Sequence, residues 1–189
     1  MKIQKFNEFS DELNEKKGDT YSYGCVMVYF DAPQIFEVQD AIDPDDLYEE
    51  EGDRSYGFED EPHTTLLYGL HSDEIENDQD VIDACTSIEI GPINLHNVSF
   101  FRNEKYDVLK FDADNKNLSK INKALTDKFP FTTDFPDYHP HATIAYLKPG
   151  AGDKYVEKFK DMEVEAIPSS IIYSKADGKK IKHALESEE

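Results

Sequence analysis

The chain has 189 residues, with 41 Asp or Glu against 20 Lys or Arg and a formal net charge of −21. Such an acidic surface excludes a protein that tracks long duplex nucleic acid, where cationic side chains supply most of the non-specific affinity; a small nucleotide in a local pocket needs only a few donors and stays allowed. Apolar residues make up 38% and aromatic residues 12%, enough for one substantial core, and no apolar run is long enough to cross a membrane.

The cysteines, Cys25 and Cys85, form neither a CxxC motif nor a disulfide framework. With no signal-peptide pattern, this predicts buried reduced thiols in a cytoplasmic protein.

Residues 1–19 form a separate charged N-terminal segment, amphipathic or flexible, in which Ile3, Phe6, Phe9 and Leu13 recur at roughly helical spacing. The main domain is expected over 20–185, with 186–189 as a tail. Tyr21 to Phe30 is apolar on both faces and reads as a central strand. Helical or irregular chain follows from Pro33 to Glu50. The highly acidic stretch from Asp40 to Glu61 reads as either a lid over a site or a solvated excursion.

Pro62 to Leu70 predicts a strand, Asp73 to Thr86 a helix, Ile88 to Phe101 one or two strands broken at Gly91-Pro92, and Asp107 to Asp112 an alternating strand. Asn115 to Phe129 carries the clearest helical stripe: Leu118, Ile121, Leu125 and Phe129. Asn115 or Asp114 can cap it and Pro130 stops it. Tyr138 to Leu147 is a further strand, Asp153 to Asp161 a short helix, and Val164 to Tyr173 and Lys179 to Leu185 closing strands around Asp177-Gly178. The order repeats: strand, helix, strand, helix, strands, then the same plan again. An internal duplication into two α+β lobes related by a pseudo-twofold follows.

The equivalent strands of the two halves carry matching heptapeptides, Pro62-His63-Thr64-Thr65-Leu66-Leu67-Tyr68 and Pro140-His141-Ala142-Thr143-Ile144-Ala145-Tyr146, with their histidines 78 residues apart. In a strand, alternate side chains share a face. His63 with Thr65, and His141 with Thr143, should therefore line a common cleft, while Leu66, Tyr68, Ile144 and Tyr146 point the other way into packing.

Two imidazoles flanking a phosphodiester can divide proton transfer, one taking a proton from water or a ribose hydroxyl and the other protonating the departing oxygen, each contributing roughly 10²–10⁴-fold. The threonine hydroxyls can donate to non-bridging oxygens where charge builds. No metal or cofactor is required.

His63-Thr64-Thr65-Leu66 and His141-Ala142-Thr143-Ile144 resemble the paired HxTx motifs of the 2H phosphoesterase superfamily, which includes the 2′-5′ RNA ligase-like proteins and the cyclic phosphodiesterases. Over roughly residues 20 to 185 the resemblance implies a bilobal α+β fold with antiparallel sheet, helices packed outside and a central cleft. It also implies metal-independent cleavage of 2′,3′-cyclic phosphates or of 2′-5′ and 3′-5′ linkages. Carried over, His63 and His141 become the acid/base pair, their roles interchangeable at this point, and Thr65 and Thr143 the phosphate binders. Gly57 to Leu70 also looks like 2H proteins of bacteriophages, some of which degrade the cyclic oligonucleotides of bacterial antiviral signalling (anti-CBASS nucleases). The acidic surface suits such a small substrate.

Around these four residues, Tyr23 is a candidate for stacking on a base, and His139, two before His141, a candidate for orienting substrate at the rim. Arg102, Lys105, Lys148 and Lys175 are the cations whose strand or loop ends could reach the cleft. His71, His96 and His183 read as structural or solvent-facing. Two other readings are a metal-dependent hydrolase using His139 and His141 with His63, and a module that sequesters a cyclic nucleotide without cleaving it.

Overall fold

A computed structural model describes residues 22–53 and 55–186; the segment expected at 1–19 and the end of the tail fall outside that range. β1 (Gly24–Asp31) is the expected central strand. Pro33 occupies the first turn of α1 (Pro33–Asp40), where its missing N–H costs nothing, and a 3₁₀ turn follows at Pro44–Asp46. After β2 (His63–Leu70) the next helix, α2 (Asp78–Thr86), starts five residues later than Asp73, because the Asn77 side chain accepts from Gln79 N and takes the cap position.

β3 (Ile93–Arg102) is one strand that begins only after Gly91 and Pro92, and it pairs with β4 (Asp107–Asp114). α3 (Lys116–Lys128) is capped by Asn115 and buries the predicted stripe of Leu118, Ile121 and Leu125. β5 (His141–Leu147), α4 (Gly152–Phe159), β6 (Val164–Ser174) and β7 (Lys180–Ala184) complete the described chain.

The strands form one antiparallel sheet in the order β2-β1-β6-β3-β4-β5, with β7 beside β6. β6 is long enough to serve both halves: Val164 to Ala166 pair with β3, and Ile167 to Ser174 with β1. The order is the same read from either end, β2-β1-β6 against β5-β4-β3, so the expected pseudo-twofold passes between β6 and β3. α1 joins β1 to β2, and α3 joins β4 to β5. One face of the sheet carries the helices and the main core, including Val26, Val28, Ile35, Leu66, Leu109, Phe111, Leu118 and Ile144, all fully buried. Two smaller clusters occupy the opposite face: Cys25, Met27 and Ile172, and Tyr56, Tyr106, Val108 and Tyr146. Both cysteines are buried and outside any disulfide.

The motif strands occupy the two ends of this order, and β2 and β5 contact each other. Each has its outer edge covered by the segment that leads into the other. The approach to β2 lies on β5, with Leu47 bridged to Leu147 and Phe58 to Ala145, and with Tyr146 N donating to Gly57 O (2.7 Å) and Glu59 N to Ile144 O (3.0 Å). The approach to β5 lies on β2: Phe131 bridges Leu70, Thr132 N donates to Gly69 O (2.8 Å), and Tyr138 Oη donates to Thr65 O (2.8 Å). His71 pins this strap through Nε2 to Thr132 Oγ1. The stretch from Asp40 to Glu61 is therefore neither a lid nor a solvated excursion. Its backbone satisfies the free edge of β5, and its Tyr48 and Tyr56 pack on Tyr106 and Tyr146.

Gly69 is required by this strap: its φ is +98°, and a Cβ there would stand 1.8 Å from Thr132 O. Gly69→Ala should lower the unfolding free energy by at least about 2 kcal/mol, since positive-φ strain alone is of order 1–3 kcal/mol; urea denaturation measures it. Thr64 behaves oppositely. Its side chain is fully buried with Oγ1 unpartnered, at the place where the second motif has Ala142. Thr64→Val should leave stability unchanged or raise it by about 1 kcal/mol, because the hydroxyl's desolvation is uncompensated.

Candidate active site

The matching motifs build matching backbones. Between β1 and β2, Met27 pairs with Thr65 and Val26 with Leu67, leaving Leu66 as an extra residue; between β4 and β5, Lys110 pairs with Thr143 and Leu109 with Ala145, leaving Ile144 extra. A β-bulge therefore follows the threonine at the same place in both strands. Before it, alternation holds as expected: His63 and Thr65 are half-buried on one face, as are His141 and Thr143, with Thr64 and Ala142 buried on the other. After it, alternation is reset. Tyr68 stands opposite Cys25 and Tyr146 opposite Val108, on the same face as the histidines, whereas strict period-two spacing directs them away. Leu66 and Ile144 enter the main core as expected.

Each histidine is held by a hydrogen bond to the carbonyl two residues earlier, His63 Nδ1 to Glu61 O (2.8 Å) and His141 Nδ1 to His139 O (3.1 Å). A carbonyl only accepts, so Nδ1 carries the proton in both rings and Nε2 is the lone-pair nitrogen of the neutral form. His63 stacks on Tyr29, 5.1 Å between centroids, while His141 meets Phe101 edge-on at 5.1 Å.

The surroundings of the two rings differ in charge. His141 is pushed down to about 4, first by loss of solvent and then by the positive charges of Lys110 and His63, against the opposing pull of the His139 carbonyl and Asp112. The charge of His63 thus reaches His141. On the other side Glu59, in the approach to β2, has its carboxyl raised by burial and pulled back by His63.

Lys110 was not among the cations expected to reach the cleft. It lies on the motif face beside Thr143, only 8% exposed, paired with Asp112 and 4.9 Å over the Phe101 ring. Asp112 stands opposite His141 and also accepts from Asn97 Nδ2 at 2.6 Å. The available signal was a lysine flanked by Val108, Leu109 and Phe111 near the centre of an alternating strand, where alternation assigns it a face.

The cations expected there are held elsewhere. Arg102 binds Asp107 and Asp153, Lys105 pairs with Glu50 against the Tyr48 and Tyr56 rings, Lys148 donates to Asp45 O, and Lys175 pairs with Asp78. Asp107 is fully buried and also accepts from Gly150 N, so the Arg102 pair fixes a turn.

Tyr23 continues the β1 row on the motif face but at its far end, stacked on His71 (5.4 Å) and edge-on to Tyr68 (6.3 Å). Six residues of strand separate it from Tyr29, about 20 Å at strand rise. His139 does not share β5 with His141. Pro140 intervenes, the strand starts at His141, and His139 is exposed, contributing its backbone carbonyl. Among the described residues no three His, Cys, Asp or Glu side chains converge as a metal-ligand set, so His139, His141 and His63 are not gathered into one. No helix among these residues is long and apolar enough to span a membrane.

The sequence profile of the 2′-5′ RNA ligase superfamily matches residues 32–170, which includes both motif strands. No curated protein sequence matches the chain. In fold the chain is similar to Usb1 from Kluyveromyces marxianus, with a TM-score of 0.51 over 87% of this chain and 99% of that one, at 7% identity. The mirrored sheet, with one HxTx strand at each end, is the bilobal α+β arrangement of the 2H phosphoesterases. The chain belongs to the 2′-5′ RNA ligase superfamily and is a 2H-type phosphodiesterase.

Proposed function

We propose that this phosphodiesterase acts on small nucleotides, either a cyclic oligonucleotide or an end bearing a 2′,3′-cyclic phosphate or 2′-5′ linkage, by two-histidine acid–base chemistry that needs no metal. One observation carries the reading: two imidazoles, each with Nδ1 tied to a carbonyl and each beside a threonine on the same face, come from strands that touch. Unequal charge around them supports a division of labour. His141, kept unprotonated by desolvation and Lys110, is the base; it accepts the proton of the attacking water or ribose hydroxyl as that oxygen bonds to phosphorus. His63, with the Glu59 carboxyl within electrostatic reach as a counter-charge, is the acid; it gives its proton to the departing oxygen as the P–O bond breaks. Thr65 and Thr143 donate to non-bridging oxygens, and Lys110 turns from Asp112 toward the phosphoryl charge.

Small size is favoured by the −21 charge. A cyclic oligonucleotide of antiviral signalling fits this reading, with Tyr23 as the candidate to stack on a base beyond the reacting phosphate. The test is incubation, in chelator, with cyclic di- and trinucleotides, 2′-5′ oligoadenylate and 2′,3′-cyclic AMP, read by mass spectrometry. Product from wild type that His63→Ala and His141→Ala each reduce by at least roughly 100-fold is expected. Binding without turnover in wild type would leave the sequestering module, and activity abolished by chelator would leave the metal hydrolase.

The pH dependence has a definite sign. A base works unprotonated, so a histidine held near 4 keeps kcat/KM from falling on the acid side until well below the ordinary histidine range. Lys110→Met removes a charge that disfavours protonation, and should move that acid limb to higher pH. It should also lower kcat/KM by roughly 10- to 100-fold through the lost charged contact. A limb that stays in place in Lys110→Met would refute the assignment of His141 as base.

A further inference from the structure

The bulges at Leu66 and Ile144 free a backbone carbonyl in each motif strand immediately after the threonine. A buried carbonyl must find a donor. In both strands it finds a side-chain amide from a helix: Asn122 Nδ2 on α3 donates to Leu66 O at 2.7 Å, and Gln39 Nε2 on α1 donates to Ile144 O at 2.9 Å, sharing that oxygen with the Glu59 backbone N–H at 3.0 Å. The donors are exchanged between halves. α3 belongs to the half that contains β5 yet supports β2, while α1 belongs to the half that contains β2 yet supports β5. Gln39 is 7% exposed and also donates to Glu59 O (2.7 Å), tying the approach to β2 to the same point. The main cores of the two halves merge, so nothing in the packing alone demands polar side chains at these two helix positions.

We propose that Asn122 and Gln39 are positioning residues for the reaction, acting crosswise: Asn122 sets the Leu66–Leu67 peptide, on the residue after Thr65, and thereby the His63–Thr65 pair, and Gln39 sets the Ile144–Ala145 peptide, on the residue after Thr143, and thereby the His141–Thr143 pair. The inference rests on the reading of these four side chains as the reacting groups. A strand could carry a bulge with its carbonyl turned to water at the rim. Here both carbonyls are held inside by directed N–H donors, which fixes the rotation of the peptide plane one residue beyond each threonine. Displacement on the 1 Å scale near a reacting group costs up to roughly 100-fold in rate.

The test uses the full chain. Histidine ring ¹⁵N and threonine methyl resonances are assigned with single His→Gln and Thr→Val variants. Asn122→Leu should then move the signals of His63 and Thr65 and leave those of His141 and Thr143 in place; Gln39→Met should move those of His141 and Thr143 most, with a smaller shift at His63 through the Glu59 contact. In each, kcat should fall roughly 10- to 100-fold with KM changed by less than about threefold, measured well below the unfolding midpoint. Should either variant not fold, Asn122→Ala and Gln39→Ala, which leave room for a water at the carbonyl, give the same crossed pattern with smaller displacements.

Folded variants whose motif signals do not move, or in which each helix perturbs the motif of its own half more than that of the other, would overturn the proposal. The resonances can be read whether or not a substrate is turned over. Wild-type protein inactive on every substrate above would sink the catalytic reading while leaving the crossed coupling measurable.

Discussion

The constraint on which this site depends is the reciprocal covering of two strand edges. An exposed edge is a row of unpaired donors and acceptors that has to be satisfied. In this chain the segment entering β2 satisfies β5, and the segment entering β5 satisfies β2. Neither half can present its motif strand correctly unless the other half is folded against it. The separation of His63 from His141 is therefore set by backbone hydrogen bonds rather than by side-chain packing alone, the kind of support that holds reacting groups to a narrow geometry.

The same symmetry explains where chemical difference enters. Backbone bulges, ring tautomers and strap contacts repeat in both halves, yet the residues facing the motif from the neighbouring strand do not. On β1 they are Cys25, Met27 and Tyr29; on β4 they are Val108, Lys110 and Asp112. One imidazole leans on a tyrosine and the other stands near a lysine–aspartate pair. A twofold frame that delivers two equal histidines is turned by its neighbouring strands into a site with one charged and one aromatic side. Acid and base can be told apart only on such a frame.

Much of this was legible in the chain. Identical residue types at four places in two heptapeptides identify the motif strands, and the 3.6-residue stripe of α3 and its Asn115 cap were readable one by one. Period-two alternation placed His63 with Thr65 and His141 with Thr143, and it failed one residue later. A bulge is a register event between strands, and nothing in Leu66 or Ile144 as residue types announces it. For the same reason the faces of Tyr68 and Tyr146 were misread. The acidic stretch looked like free loop because its composition is polar. Its ordering comes from backbone groups paired to an edge distant in sequence, to which composition is blind. Arg102, Lys105, Lys148 and Lys175 lie at strand or loop ends that sequence allows near the cleft, but in a chain with twice as many acids as bases each of the four takes a structural partner instead.

That imbalance also bears on how so acidic a protein engages a phosphate. The Debye length is about 8 Å at physiological ionic strength, so surface carboxylates beyond that range hardly act on a charge held in the cleft. Within it, the donors proposed to meet the phosphate are few, two half-buried threonine hydroxyls and the buried Lys110 ammonium, and lowered dielectric would strengthen each contact. A long polyanion would have to lay its remaining phosphates along the acidic exterior and would be repelled there at every step. A substrate that places all its charge inside the cleft avoids that cost. On the proposed reading, net charge would act as a filter on substrate length, while affinity for the single phosphoryl group would rest on the handful of groups on the face that the two motif strands share.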